Sequence, residues 1–91
     1  MKLDCFTVYV LYSFENEIFY TGYTSDLVKR FHDHNTHNTN GFTVKYRPWI
    51  VLYTEIFTTK SSAISREKEL KSGVGREYIK KIVFPKYKNL W

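Results

Sequence analysis

The sequence predicts an α+β domain built from three strands and three helices in the order strand, strand, helix, strand, helix, helix. Three observations predict it. Branched and aromatic runs at 6–13, 18–22 and 49–57 have strand character. Segments starting at 24–26 and 58–61 open with Thr, Ser and Asp, which cap helices, and continue with apolar residues three and four apart. Between these runs, Gly22, Gly41, Pro48, Gly73, Gly75 and Pro85 punctuate the chain. With 91 residues there is room for one small domain over 1–91, and not for two.

The first run, 6–13, is apolar at both odd and even positions, as expected of a strand covered on both faces. Glu15 and Asn16 break it, and 18–22 returns as the second strand of an antiparallel hairpin. A two-residue turn at Glu15-Asn16 pairs Phe14 with Glu17 and Leu11 with Tyr20, and places Tyr9 and Tyr20 on one face as diagonal neighbours. A shift of one residue would put them on opposite faces. Gly22 is expected to end the second strand where the backbone turns.

Thr24, Ser25 and Asp26 then cap a helix whose stripe is Leu27, Phe31 and His34. Arg30 borders that stripe four residues before His34, so both face one way. Asn35, Asn38, Asn40 and Gly41 mark a polar loop after it, and the conformation of 42–47 is open. Pro48 opens the third strand. Thr58, Thr59 and Ser61 start the second helix, which runs to about Ser72 with Gly73 as its C-cap. Ala63, Ile64 and Leu70 face inward, and Glu67 shares their stripe. A third helix is expected over 76–83, with Tyr78, Ile79, Ile82 and Val83 inward and Pro85 as its stop. Leu90 and Trp91 are expected to fold back onto the body.

Fourteen Lys and Arg against nine Asp and Glu leave a net charge of +5. Such a charge serves solubility or attracts a polyanion, nucleic acid ahead of a membrane surface. Nothing approaches the roughly 20 apolar residues of a membrane-spanning helix. Asp4 interrupts the charged-then-apolar order of a secretory leader. Cys5 is the only cysteine, so no internal disulfide forms, and a reducing cytoplasm suits the chain.

Few residues carry chemistry, and each has a plain structural alternative. Glu67 on an apolar stripe is costly to desolvate without a partner. It is either ion-paired to Arg30, Lys71 or Lys45, or a ligand for a hard divalent cation completed by phosphate and water oxygens. Tyr9 and Tyr20 are either ordinary strand filling or a pair that orients or deprotonates a water. A basic role would require nearby positive charge to bring a phenol below its usual pKa of about 10. Arg30 either covers apolar surface with its stem or grips a phosphate. His34 either caps the helix or moves a proton. The spacing of His32, His34 and His37 does not put three nitrogens on one helix face, which argues against zinc.

Taken together these residues have a family likeness. The chain resembles the GIY-YIG endonuclease superfamily, in its small single-domain branch, which is similar to the N-terminal nuclease domain of the bacterial excinuclease. Thr7-Val8-Tyr9 matches the first motif and Tyr20-Thr21-Gly22 the second. YTSDLVKRFHDHN matches the pattern of an Arg followed four residues later by His-Asn. YRPWIVLY matches the third strand, and AISREKELKSGVGREYIKKIV the glutamate helix. Thr7 replaces a glycine, Thr21 an apolar residue and Tyr23 a frequent lysine, and Ile79 lies nearest the position of a frequent asparagine.

The resemblance implies a three-stranded antiparallel sheet flanked by three helices. It also implies one Mg²⁺ or Mn²⁺ ion held by Glu67, with no small-molecule cofactor. Tyr9, Tyr20, Arg30, His34 and Glu67 are then the catalytic set, and DNA is the substrate, with roles in repair or recombination and a preference for structure over sequence. Tyr23, Lys29, Lys45 and Arg47 are the nucleic-acid-contacting candidates. The competing reading is a non-catalytic nucleic-acid-binding module on the same scaffold, using Lys29, Arg30, Lys45, Arg47, Lys80 and Lys81 for phosphates.

Overall fold

Strand β1, Phe6–Ser13, is the centre of the sheet, flanked on one side by β2, Ile18–Thr24, and on the other by β3, Ile50–Phe57. All pairings are antiparallel. The computed structural model describes residues 5–37 and 41–88; the expectations for Asp4, Asn38, Asn40, Leu90 and Trp91 fall outside them. Both parities of β1 are apolar because both of its faces are covered. Val8, Val10 and Tyr12 pack with Leu52, Ala63, Leu70, Ile79 and Val83. Tyr9 and Leu11 face the other way, against Trp49, Tyr20, Leu27, Phe31 and Tyr46. Each fully buried side chain of this size contributes about 1.5–3 kcal/mol. The sheet and its helical layers are therefore those expected.

The hairpin register is also the expected one: Leu11 opposes Tyr20, and Tyr9 opposes Gly22. The turn itself is four residues long and not the expected two: the ladder ends at Ser13 opposite Ile18, and Phe14 does not pair with Glu17. Glu17 closes it with a positive φ of 54° and donates its N–H to the Ser13 carbonyl at 2.7 Å. Strand β2 does not stop at Gly22 but continues to Thr24. Gly22 stands inside it for a steric reason given below. The β1–β3 ladder slips by one residue between Val10 and Leu11. That irregularity lets Leu52 enter the core as an extra residue.

Asp26 caps helix α1, Leu27–His32, by accepting from the Lys29 N–H. The chain then widens into a π-helical turn, Asp33–His37. The open segment 42–47 holds a short helix, α2, Phe42–Lys45, and β3 begins one residue after Trp49. Thr59 caps helix α3, Lys60–Lys71, through the Ser62 N–H.

The expected glycine C-cap at Gly73 is absent. Ser72 ends α3 and caps the next helix, α4, Gly73–Tyr78, by accepting from the Gly75 N–H at 3.2 Å. Gly75 is the glycine the corner needs, since a Cβ there would lie 2.1 Å from the Glu69 carbonyl oxygen. The last helical path also exceeds expectation. A π-helical turn, Ile79–Val83, joins α4 to α5, Phe84–Lys88. Pro85 is tolerated because the wide turn before it has already shifted the hydrogen bonding by one residue, with Phe84 bonded to Ile79. The widened turn also rotates Tyr78 and Ile82 outward, leaving them 38% and 57% exposed, while Ile79 and Val83 stay buried.

Candidate active site

Tyr9 lies flat over Gly22, its partner on β2. A Cβ on Gly22 would sit 2.5 Å from the Tyr9 hydroxyl oxygen and 2.7 Å from Cζ. No larger residue leaves the phenol in place. Tyr20 is the diagonal neighbour, with its ring 6.5 Å away and tilted by 34°. The two phenols share a face because the register lets them.

Helix α1 and its π-helical turn bring two further groups to that face. The Nε2 atom of His34 is 2.9 Å from the Tyr9 hydroxyl, and His34 is 1% exposed. Its ring meets Tyr20 edge-on at 4.9 Å. The other ring nitrogen, Nδ1, has no hydrogen-bond partner among the described residues. Burial, aided by the Arg30 charge, lowers the His34 pKa to about 4, so the imidazole is neutral at pH 7. Arg30 is half-buried and near enough to the Tyr9 phenol for its charge to act on it. Burial is the largest influence on Tyr9. Arg30 opposes it, while Tyr20 and Glu67 act against ionisation, and the phenol is pushed up to about 12.

Glu67 lies on α3, near enough for its charge to act on Tyr9. Its side chain is 16% exposed, and Lys71 one turn on approaches it at 3.6 Å. The Lys71 ammonium also sits 5.9 Å from the centre of the Tyr20 ring. Two phenols, a guanidinium, a neutral imidazole and a carboxylate thus surround one corner of the sheet.

A family model described as the GIY-YIG catalytic domain matches residues 5–81. The chain belongs to the GIY-YIG family. Its relatives include a UPF0213 protein of Staphylococcus haemolyticus, 35% identical over 75 residues that cover 82% of this chain and 90% of the other. A UPF0213 protein of Limosilactobacillus reuteri is 37% identical over 79 residues, covering 85% and 81%. The solution NMR structure of a UPF0213 protein from Bacillus halodurans superposes with a TM-score of 0.55 at 26% identity, covering 93% of each chain. The Bacillus halodurans protein shares the fold described above, and GIY-YIG domains are generally nucleases.

GIY-YIG nucleases commonly use divalent metals, and the donor set here can be tested against such an ion. Among the described residues, no three His, Cys, Asp or Glu side chains gather into a closed cage. The imidazole of His34 is turned to Tyr9, and that of His32 lies against Thr36. Glu67 does fit an ion that takes one carboxylate and completes its shell with substrate and water oxygens. Its side chain is half-buried, and among the described residues its ion-pair partner is Lys71, loosely held.

The residues that hold the π-helical turn had no clear sequence signal beyond the Asn after His34. Arg47 donates to the carbonyls of His34, at 2.5 Å, and Asp33, at 3.0 Å. Asn35 exchanges two hydrogen bonds with the Trp49 backbone, at 2.7 and 3.0 Å. The nucleic-acid-contacting candidates are therefore scattered. Lys29 and Lys45 are exposed, the latter 5.4 Å from the Tyr46 ring centre. Arg47 is engaged with backbone carbonyls. Tyr23 opposes Val8 and packs into the core on the far face of the sheet from Tyr9. Lys81 pairs with Glu77 at 3.0 Å, while Lys80 is exposed. A separate network on that far side ties β3 to α3: Arg66 holds Glu55 through two bonds, at 2.8 and 2.9 Å, and also reaches Glu69.

Proposed function

We propose that this GIY-YIG chain is a divalent-metal-dependent DNA endonuclease that hydrolyses phosphodiester bonds at sites chosen by DNA structure rather than by sequence. The observation that carries the reading is the buried hydrogen bond between Tyr9 and the neutral His34 imidazole, beside Arg30. A buried phenol needs some partner; here that partner is a titratable imidazole beside a guanidinium.

Hydrolysis needs a water deprotonated as its oxygen attacks phosphorus, and a leaving oxygen that departs on the opposite side. With a pKa of about 12, Tyr9 keeps its proton at pH 7 and cannot act as a free phenolate. It acts as one half of a relay. The phenol oxygen takes the proton of the attacking water while its own proton passes to His34 Nε2. The incoming phosphate favours the imidazolium that results, raising the His34 pKa from its depressed value. Arg30 binds the non-bridging phosphate oxygens and stabilises the charge that builds on them. Tyr20 supports the Tyr9 ring and closes the His34 side against water. Glu67 would hold the metal ion, which when bound supplies Lewis-acid stabilisation of the phosphate and leaving oxygen.

The test is cleavage of supercoiled plasmid and of branched DNA with Mg²⁺ or Mn²⁺, set against chelator, Glu67→Ala and Arg30→Ala. Wild type is expected to nick, and each variant to lose at least about a hundredfold, the usual cost of one transition-state contact. Equal nicking by all three proteins would overturn the reading, as would none by wild type across metals and substrates. Salt-dependent DNA binding without cleavage, intact in Glu67→Ala, would instead establish the non-catalytic binding module.

A further inference from the structure

Along the open edge of β2 a groove of about 540 Å³ runs from the candidate active site between the strand and helices α3 and α4. Its walls include Ile18, Tyr20, Phe42, Lys71, Arg76 and Lys80. We propose that this groove seats an unpaired nucleotide of the DNA strand that passes through the active site. The proposal rests on the nuclease reading above and names the substrate that the site would select: a junction where duplex meets single strand.

Three features point to a nucleotide. The first is continuity. Tyr20 belongs to both places, with one side of its ring 4.9 Å from His34 and its surface lining the groove. A strand crossing the Tyr20 ring would pass from one place to the other. The second is an exposed aromatic platform. Phe42 is 52% exposed yet held by three rings: Tyr20, stacked at 6.1 Å and 26°, Tyr46 at 4.8 Å and Trp49 at 6.4 Å. A rigid, exposed ring of this kind accepts any base by stacking. The third is charge. Arg76 and Lys80 stand one turn apart and exposed on the α4 path, beside Lys71, which also approaches Glu67; the acid in the groove's lining is Glu17. Three cations suit a phosphate and its neighbour. The volume falls in the range of ligand pockets, about 300–1,000 Å³.

The test is fluorescence anisotropy in chelator, where nothing is cut, with a blunt duplex and the same duplex carrying an unpaired flap. Wild type should bind the flapped DNA more tightly. Phe42→Ala should cut the flap-to-blunt affinity ratio about tenfold, within the usual worth of one stacked base, and Phe42→Trp should keep it. The double variant Arg76→Gln, Lys80→Gln alters only exposed side chains. It should lower flap affinity and reduce the slope of log affinity against log salt by about 1.4. Equal wild-type affinity for the two DNAs, or an unchanged ratio in both variants, overturns the proposal. Because the readout is binding, a chain that grips flaps through Phe42 and cuts nothing would sink the nuclease reading and leave the groove standing.

Discussion

Tyr9 and Gly22 oppose each other across the hairpin, and the phenol occupies the space that a Cβ on Gly22 would need, its oxygen 2.5 Å from that position. The glycine of the second motif is thus part of the site: it is the floor on which the first motif's tyrosine lies.

Gly22→Ala is therefore expected to displace the Tyr9 ring and break its bond to His34. Overpacking of this kind costs about 1–3 kcal/mol, and a displacement of about 1 Å costs roughly a hundredfold in rate. Denaturant unfolding and plasmid nicking measure the two effects. A variant with wild-type stability and wild-type nicking would show that the ring does not need the slot.

The depressed pKa of His34 makes stability depend on pH. The unfolded chain takes up this proton near 6.5 and the folded chain only near 4. Stability is then full above about pH 6.5 and falls as the pH drops toward 4, by up to about 3 kcal/mol. His34→Gln should flatten that part of the profile. Urea unfolding at pH 7.5 and pH 5 for both proteins checks it; parallel losses in the two would remove His34 as the cause.

Arg47 ties the π-helical turn that aims His34. Arg47→Met is expected to lower cleavage about tenfold or more while leaving the salt slope of DNA binding unchanged, since the guanidinium is engaged with carbonyls at 2.5 and 3.0 Å. A slope smaller by about 1 with cleavage otherwise intact would make Arg47 a phosphate contact instead.

Arg66 and Glu55 sit on the far side from the site. Arg66 holds the Glu55 carboxyl below its ordinary range, so this pair stabilises the fold above the unfolded carboxylate pKa and is lost as the pH falls through the lower folded value. The pair is about a quarter exposed, with side chains at 28% and 21%, so solvent screening limits its worth. Glu55→Gln should cost roughly 1 kcal/mol near pH 7, read as a lower urea midpoint, and leave cleavage unaltered.

Local pattern carried the strands and the main helix caps. Apolar residues at both parities of 6–13 can only be a strand with two covered faces, and Asp26 and Thr59 stand where a helix must begin. The hairpin register was legible because Glu15-Asn16 sets it and one slip would invert every side chain. The last helix was misread at Tyr78 and Ile82, because periodicity assumes a constant 3.6 residues per turn and the turn at Ile79–Val83 is wider. Gly22 was misread as a strand end because its reason lies on the neighbouring strand.

The order of residues alone was enough for the α+β class, the shared face of Tyr9 and Tyr20, and the placing of Arg30 and Glu67 on helices, since each follows from repeats and turns a few residues long. How those groups meet required the folded chain. The His34 bond to Tyr9 and the Arg47 clamp join residues from 13 to 25 positions apart, and the Phe42 platform meets Tyr20 from another element. Such contacts are set by how the sheet twists and where the widened turn carries its side chains, and no local pattern encodes either.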